Sequence, residues 1–145
     1  MTKTSLAAAW RESGGPLTVA YLPISQLRPD PGNARQHSRK QIRQIAKSIE
    51  TFGFNVPILV DRDGAVIAGH GRLAAAKQIA WAEVPTIRLD HLSEAQKKAF
   101  MIADNRLAEV AVWDDRLLAE QLQALATVDL SFDIETSASI WAKSI

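Results

Sequence analysis

The apolar positions of this chain change period several times between residues 17 and 126, and each change predicts an element. Leu17 to Ile24 is apolar at strand-like spacing and predicts a first strand. Arg28-Pro-Asp-Pro-Gly-Asn33 must then form a loop, because two prolines and a glycine support neither helix nor ladder. From Ser38 the period lengthens: Ile42, Ile45, Ala46, Ile49 and Phe52 fall at helical spacing, Ser38 stands where an N-cap belongs, and Gly53 ends the run. Pro57–Val60 and Ala65–Ala68 flank Asp61-Arg-Asp-Gly64, and Asp-Gly between two apolar runs predicts a hairpin. A short helix is expected after Gly69, then a strand over Val84–Leu89. Ser93 to Ala108 predicts a helix with Ser93 and Gln96 in capping-box register. Asp114 opens a last helix to about Ala126, carrying Leu118, Leu122 and Leu125 on one face. The order β–α–β–β–α–β–α–α implies an α+β fold, a small mixed β-sheet covered by helices.

That pattern divides the chain into a flexible leader over 1–16, a domain over 17–126 and a tail over 127–145. Ser13-Gly-Gly-Pro16 breaks any helix that Leu6 to Trp10 begins. With 145 residues, 47% hydrophobic and 23% charged, the composition is that of one ordinary globular domain. No apolar run approaches membrane-spanning length and no secretory signal is legible, so a cytoplasmic protein with no membrane partner is expected. The absence of cysteine excludes disulfides, thiolate metal sites and cysteine nucleophiles. His37, His70 and His91 are not at metal-ligand spacing. A net charge of +1 hides an uneven distribution: Pro31 to Ile49 carries Arg35, Arg39, Lys40, Arg43 and Lys47 with no acid, while acids gather from Asp104 to Glu120.

Four places have side chains suited to chemistry. The first is Gly69-His70-Gly71-Arg72, a strand–GxGR–helix corner. Free N–H groups at a helix start favour an anion, two glycines let a ligand approach, and Arg72 adds a forked donor. Locally the corner reads equally well as a tight turn with a solvated arginine. The second is Asn33-Ala-Arg35-Gln-His37, which lines the same pocket if the two helix starts converge; on local sequence it is more simply a polar loop in which Asn33 caps a turn. The third is Arg39, Arg43 and Lys47, recurring every four residues opposite the apolar face. Such a row either tracks a phosphate backbone or solubilises the helix. The fourth is Asp104-Asn105-Arg106, either a surface ion pair or a ligand set for Mg²⁺ or a ribose. His70 is most economically a hydrogen-bonding pocket wall. No Ser/His/Asp arrangement and no paired-carboxylate signature is legible.

Taken together, Tyr21-Leu-Pro-Ile-Ser-Gln-Leu-Arg-Pro29, Asn33-Ala-Arg-Gln-His37, Ile45-Ala-Lys-Ser-Ile-Glu-Thr-Phe-Gly53, Pro57-Ile-Leu-Val60, Val66-Ile-Ala-Gly-His-Gly-Arg72 and Leu92 to Arg106 resemble the ParB/sulfiredoxin superfamily. The likeness is to the ParB N-terminal-domain branch, in particular the type associated with phage and plasmid DNA methyltransferases. It spans roughly Val19 to Glu135 and implies a ParB/sulfiredoxin-like fold. The tail from Thr136 to Ile145 leaves the pattern, as a truncated or diverged end would.

Departures from the family sort the activities. Sulfiredoxin requires a cysteine where His70 stands, so that activity is excluded. The free-serine kinases carry an acid where Ala68 stands. CTP-using partition proteins have GERR where this chain has Gly69-His70-Gly71-Arg72, and Glu-Asn where it has Asp104-Asn105. Within these residues no helix-turn-helix domain and no methyltransferase signature is legible. The resemblance implies a nucleotide-binding module, using CTP or ATP with Mg²⁺, that acts on DNA without sequence specificity in a phage or plasmid setting. Gly69, Gly71 and Arg72 would hold phosphates with His70 at the wall; Asn33 and Arg35 would close the pocket; Asp104 and Asn105 would face the metal or sugar. Asp104 and His70 are the catalytic candidates for a weak nucleotide triphosphatase. Arg39, Arg43 and Lys47 are expected on DNA, and a homodimer or a DNA methyltransferase as partner. Two alternatives stand beside this: a Mg²⁺-dependent ParB-like nuclease using Asp104, with Asp30 a distant second acid, and a non-enzymatic adaptor or dimerisation module for a methyltransferase.

Overall fold

In the computed structural model, which describes residues 16–133 together with Ser5 and Ala8, four short strands form one sheet. The rest of the leader, and residues 134–145 of the tail, lie outside the described residues. The strands are β1 (Val19–Pro23), β2 (Ile58–Val60), β3 (Val66–Ala68) and β4 (Glu83–Arg88), in the spatial order β1-β4-β2-β3. β4 runs antiparallel to β1 and parallel to β2, and β2–β3 is an antiparallel hairpin, so the sheet is mixed as its pattern predicted. Gly64 closes the hairpin at φ +83, a conformation that L side chains rarely adopt.

The helices are α1 (Arg39–Phe52), α2 (His70–Gln78), α3 (Glu94–Val110) and α4 (Asp115–Ala126). Their starts are those the caps foretold. The Ser38 hydroxyl accepts from Gln41 N–H, Ser93 and Gln96 form a complete capping box, and the Asp114 carboxylate accepts from Leu117 N–H. Short α2 is the centre of the packing. Leu73 and Ala76 lie against Ile58, Val60, Val66 and Val84 of the sheet, and Ala75 lies against Ala46 and Ile49 of α1. Alanines on two sides let α2 sit close to both neighbours, which holds its first turn rigidly between sheet and helix. α3 comes alongside β3.

Two expectations change. The first strand stops at Pro23, and Ile24–Gln26 forms a 3₁₀ turn in which Leu27 N–H returns to the Ile24 carbonyl and buries Leu27. The leucine face of α4 is not driven into the core. Leu118 and Leu122 are half-buried, Leu125 is exposed, and α4 buries no residue completely. Beyond α4 the chain returns to α1, where Phe132 meets the exposed end residue Phe52 edge-to-face at 4.9 Å.

Candidate phosphate site at the start of helix α2

The apolar run Val66–Ala68 ends at Gly69, which turns the chain with φ 103 and ψ 24 and serves as the N-cap of α2. That left-handed backbone favours glycine, and space demands it too: a Cβ there would lie 3.2 Å from Ile58 Cγ1. The Gly69 carbonyl accepts from Leu73 N–H, while the N–H groups of His70, Gly71 and Arg72 meet no acceptor among the described residues. Three unsatisfied donors therefore share the positive end of a nine-residue helix.

Arg72 folds back over this corner rather than into solvent. Its Nη2 donates to the Pro57 carbonyl at 3.3 Å, and its Nε is buried without a partner. Burial pulls its pKa below the usual guanidinium value, and the Asp104 carboxylate of α3 pushes it back up. A largely sequestered guanidinium with unspent donors fits an anion arriving at the helix start.

The loop Arg28–Ser38 lies across the same corner. Its root is stitched to the hairpin, with Arg28 N–H donating to the Gly64 carbonyl at 2.9 Å and Val66 N–H to the Arg28 carbonyl at 2.8 Å. Farther along, Asp30 N–H donates to His70 Nε2 at 3.1 Å. The His37 ring sits where a Cβ on buried Gly71 would touch it, 3.0 Å from its Cε1, and its Nδ1 pairs with Gln41 Oε1 at 3.0 Å. Arg35 Nη1 donates to Asn105 Oδ1 at 3.0 Å, which joins the loop to α3. The two helix starts do converge, and α3 completes a third wall.

The predicted site residues thus separate into two groups. Gly69, His70, Gly71 and Arg72 form the corner, with Asp104 near enough to act on Arg72, while Arg35 and Asn105 pair with each other where the loop meets α3. Asn33 is turned inward on its own loop: its Nδ2 donates to the Arg35 carbonyl and its Oδ1 accepts from Arg35 N–H. It shapes the loop, as the simpler reading of that segment held. Arg106 pairs with Glu109 at 2.9 Å, not with Asp104. Arg39, Arg43 and Lys47 are exposed as one row, and no ion pair engages them among the described residues.

Between the loop and α3 lies a pocket of about 440 Å³ lined by Asn33, Arg35, Met101, Ile102, Asn105 and Arg106. A larger concavity of about 800 Å³ lies elsewhere, among Leu22, Arg28, Arg62, Thr86, Arg88 and Asp90. It is the roomier of the two, but its acids and bases are partly spent on each other and it holds none of the convergent donors described above. Sequence reasoning did not find the Pro57 carbonyl under Arg72 or the Lys97–Asp61 tie that anchors α3 to the hairpin, since backbone acceptors and contacts 36 residues apart leave no local pattern.

A family model for the ParB N-terminal domain matches residues 11–106. The chain belongs to that family. The ParB-like nuclease domain-containing protein YnaK of Escherichia coli (strain K12) is 43% identical to this ParB domain over 82 residues, 57% of this chain and 94% of YnaK. A C-terminally truncated ParB from Caulobacter crescentus, complexed with CTP-γ-S, superimposes with a TM-score of 0.66 at 22% identity, over 76% of this chain and 63% of that one. A C-terminally truncated Caulobacter crescentus ParB complexed to the centromeric parS site superimposes with a TM-score of 0.50 at 22% identity, over 59% and 46% of the two chains. This ParB domain therefore spans less than two thirds of those partition proteins, and the likeness to them is one of fold.

Proposed function

We propose that this ParB domain binds a nucleoside triphosphate, CTP or ATP, through its phosphates at the start of α2, and that it works with DNA. The observation that carries the reading is the meeting of three unpartnered N–H groups with the half-buried Arg72 guanidinium, whose Nε has no partner. Phosphate is the ligand that uses both. Arg35 and Asn105, paired with each other, line the pocket between the loop and α3 and would meet the nucleotide from there. Of the expected Mg²⁺ ligands, Asp104 offers a carboxylate while the Asn105 oxygen already accepts from Arg35, so an ion here would be held chiefly by nucleotide phosphates. Bound there, Mg²⁺ would neutralise phosphate charge. The exposed row Arg39, Arg43 and Lys47 supports a sequence-indifferent contact with DNA, and the apolar residues Ile102, Leu107, Val112 and Trp113, exposed along α3 and the turn to α4, support self-association. The phage or plasmid setting and a methyltransferase partner rest on the resemblance alone.

Calorimetry with CTP, ATP and GTP in the presence of Mg²⁺ tests the reading. Heat of binding from one of them, lost in Arg72→Met, is the expected result. No binding by any of the three at millimolar concentration overturns it.

The name of the relative YnaK favours a second reading, a Mg²⁺-dependent nuclease centred on Asp104. Among the described residues no three His, Asp or Glu side chains gather as metal ligands, so substrate phosphates would have to complete the metal's shell. Plasmid degradation by the purified protein, abolished in Asp104→Ala and retained in Glu120→Ala, would place this reading first.

A further inference from the structure

His70 occupies the middle of the GxGR corner, yet its ring is turned away from ligand chemistry. Its Nε2 is the acceptor for Asp30 N–H at 3.1 Å. A backbone amide can only donate, so Nε2 must carry its lone pair and the ring must be the neutral Nδ1–H tautomer. The Asp30 carboxylate is itself engaged, with Oδ1 accepting from Gly32 N–H at 2.8 Å, so it does not offer the ring a competing bond from that oxygen. The loop held by this contact carries Arg35 and, two residues on, His37 toward its far end. His37 covers Gly71, whose N–H is one of the three unpartnered donors. The loop therefore lies over the site, and the corner residues do not line the open pocket beside it.

We propose that His70 is a positioning residue: its neutral imidazole latches the Asp30–His37 loop over the start of α2, and protonation of the ring releases that loop. An Nε2–H faces the Asp30 N–H as donor against donor, so the contact changes from attractive to repulsive in one step. The surrounding groups set when this happens. Burial disfavours the imidazolium most, and His37 also opposes it, while the Asp30 carboxylate favours it; the net effect lowers the His70 pKa below 6.5. α1 brings Ile45 against Gly71 and Gln41 against His37, Pro57 and Ile58 come to the corner at the start of β2, and the Asp104 carboxylate of α3 acts on Arg72. The latch accordingly holds at neutral pH and opens on acidification below the ordinary histidine range. Arg35–Asn105 is the second tie, so release at His70 frees the Asp30 side of the loop first. The consequence for ligand entry rests on the phosphate-site reading; the latch itself does not.

The test uses the ligand-free full chain. Nitrogen-15 NMR reads the tautomer of His70, and amide exchange reads the protection of Asp30 N–H from about pH 8 to about pH 5. The Ile24 amide, bonded to the Ala82 carbonyl, reports that the sheet stays folded. The expected results are an Nδ1–H tautomer at neutral pH and Asp30 protection that falls at least about tenfold on acidification. In His70→Gln the amide oxygen replaces Nε2 as acceptor without titrating, so protection persists and its pH dependence disappears. In His70→Leu protection is low at every pH. An Nε2–H tautomer at neutral pH, or equal Asp30 protection in wild type and His70→Leu with Ile24 still protected, overturns the proposal. If His70→Leu does not fold, the wild-type tautomer and the His70→Gln profile decide alone. A confirmed latch with no nucleotide bound would leave His70 as assigned and remove only the phosphate reading.

Discussion

Lys97 of α3 donates to Asp61 Oδ2 at 3.0 Å, and the two side chains are only 13% and 12% exposed. The other oxygen of the same carboxylate accepts Asp63 N–H at 2.8 Å and Ala65 N–H at 3.0 Å, so one side chain both shapes the β2–β3 turn and holds the helix that carries Asp104 and Asn105. Glu94, one turn before Lys97 on α3, also pairs with it but remains exposed. The tie is what makes α3 a wall of the site and not a loosely attached arm.

Lys97→Met should therefore destabilise the domain by about 1–3 kcal/mol, because it leaves a hydrogen-bonded carboxylate short of a charged partner. It should also loosen Arg35–Asn105 from the α3 side. Urea unfolding of wild type and variant checks the first effect, and Asn105 side-chain amide shifts check the second.

The same pair sets a pH window. Burial alone would raise the Asp61 carboxyl, but the hydrogen bond from Lys97 and those from Ala65 and Asp63 outweigh it and leave the pKa below 3.8. Lys97 is raised above 10.5, chiefly by its bonds to Glu94 and Asp61. The Asp61 contribution is complete above 3.8 and is lost as pH falls through its lowered folded value; the Lys97 contribution is complete below 10.5 and is lost as pH rises through its raised one. The stability gap between wild type and Lys97→Met should be flat through neutral pH and shrink at both extremes. A gap that is unchanged in strong acid would contradict the assignment.

Gly71→Ala tests how tightly the loop is seated. Its backbone is ordinary helix, so any penalty is spatial: the new Cβ would meet His37 Cε1 and Ile45 Cδ1 at 3.0 Å each. Ile45 belongs to the packed side of α1, whereas His37 is on the loop, so the ring should move. A loss of about 1–3 kcal/mol is expected, with the His37 ring resonances displaced and the Gln41 contact weakened. A melting temperature and His37 spectrum identical to wild type would mean that the loop does not rest on this helix in solution.

The elements were legible because their signals are local. Ser38, Ser93 with Gln96, and Asp114 each cap within three residues, and Asp-Gly at 63–64 gives the hairpin turn. Periodicity told α1 from the strands. It did not tell how deeply α4 would pack, since Leu118, Leu122 and Leu125 make the same stripe whether or not another surface covers them. In the site, the glycines and Arg72 were legible as residue types suited to phosphate, and Asp104-Asn105 as a set for Mg²⁺ or a ribose. Asn33 was legible as a turn former and His70 as a hydrogen-bonding wall, but their partners were not. Asn33 spends its amide on Arg35 backbone, and His70 spends Nε2 on an amide 40 residues away, choices that only the folded loop reveals.

Arg72 should separate stability from binding. Its Nε is a buried donor with no partner, and its contact with the Pro57 carbonyl is long at 3.3 Å. Replacing an unsatisfied buried donor by an apolar chain of similar length costs little and relieves desolvation. Arg72→Met should therefore melt at or slightly above the wild-type temperature while nucleotide affinity falls by at least about tenfold. Arg72→Lys should not restore affinity, because one ammonium cannot reach Pro57 and a phosphate as a fork does. Retained affinity in Arg72→Met would remove Arg72 from the site.

The basic row on α1 makes a prediction that does not involve the pocket. Arg39, Arg43 and Lys47 are exposed, and none is among the buried residues of α1, so Glu at all three positions leaves the packed side chains in place. If the row meets two or three phosphates, the logarithm of affinity should fall against the logarithm of salt with a slope of about −2 to −3. Binding should be indifferent to sequence, with a dissociation constant of roughly 10⁻⁴–10⁻⁶ M at physiological salt. The triple-Glu variant should lose it entirely while its thermal unfolding stays close to wild type. A gel-shift series across salt concentrations reads all of this at once. Equal retention of DNA by wild type and variant would mean that this helix face is only solvated, because three charge reversals cannot leave a phosphate contact unchanged.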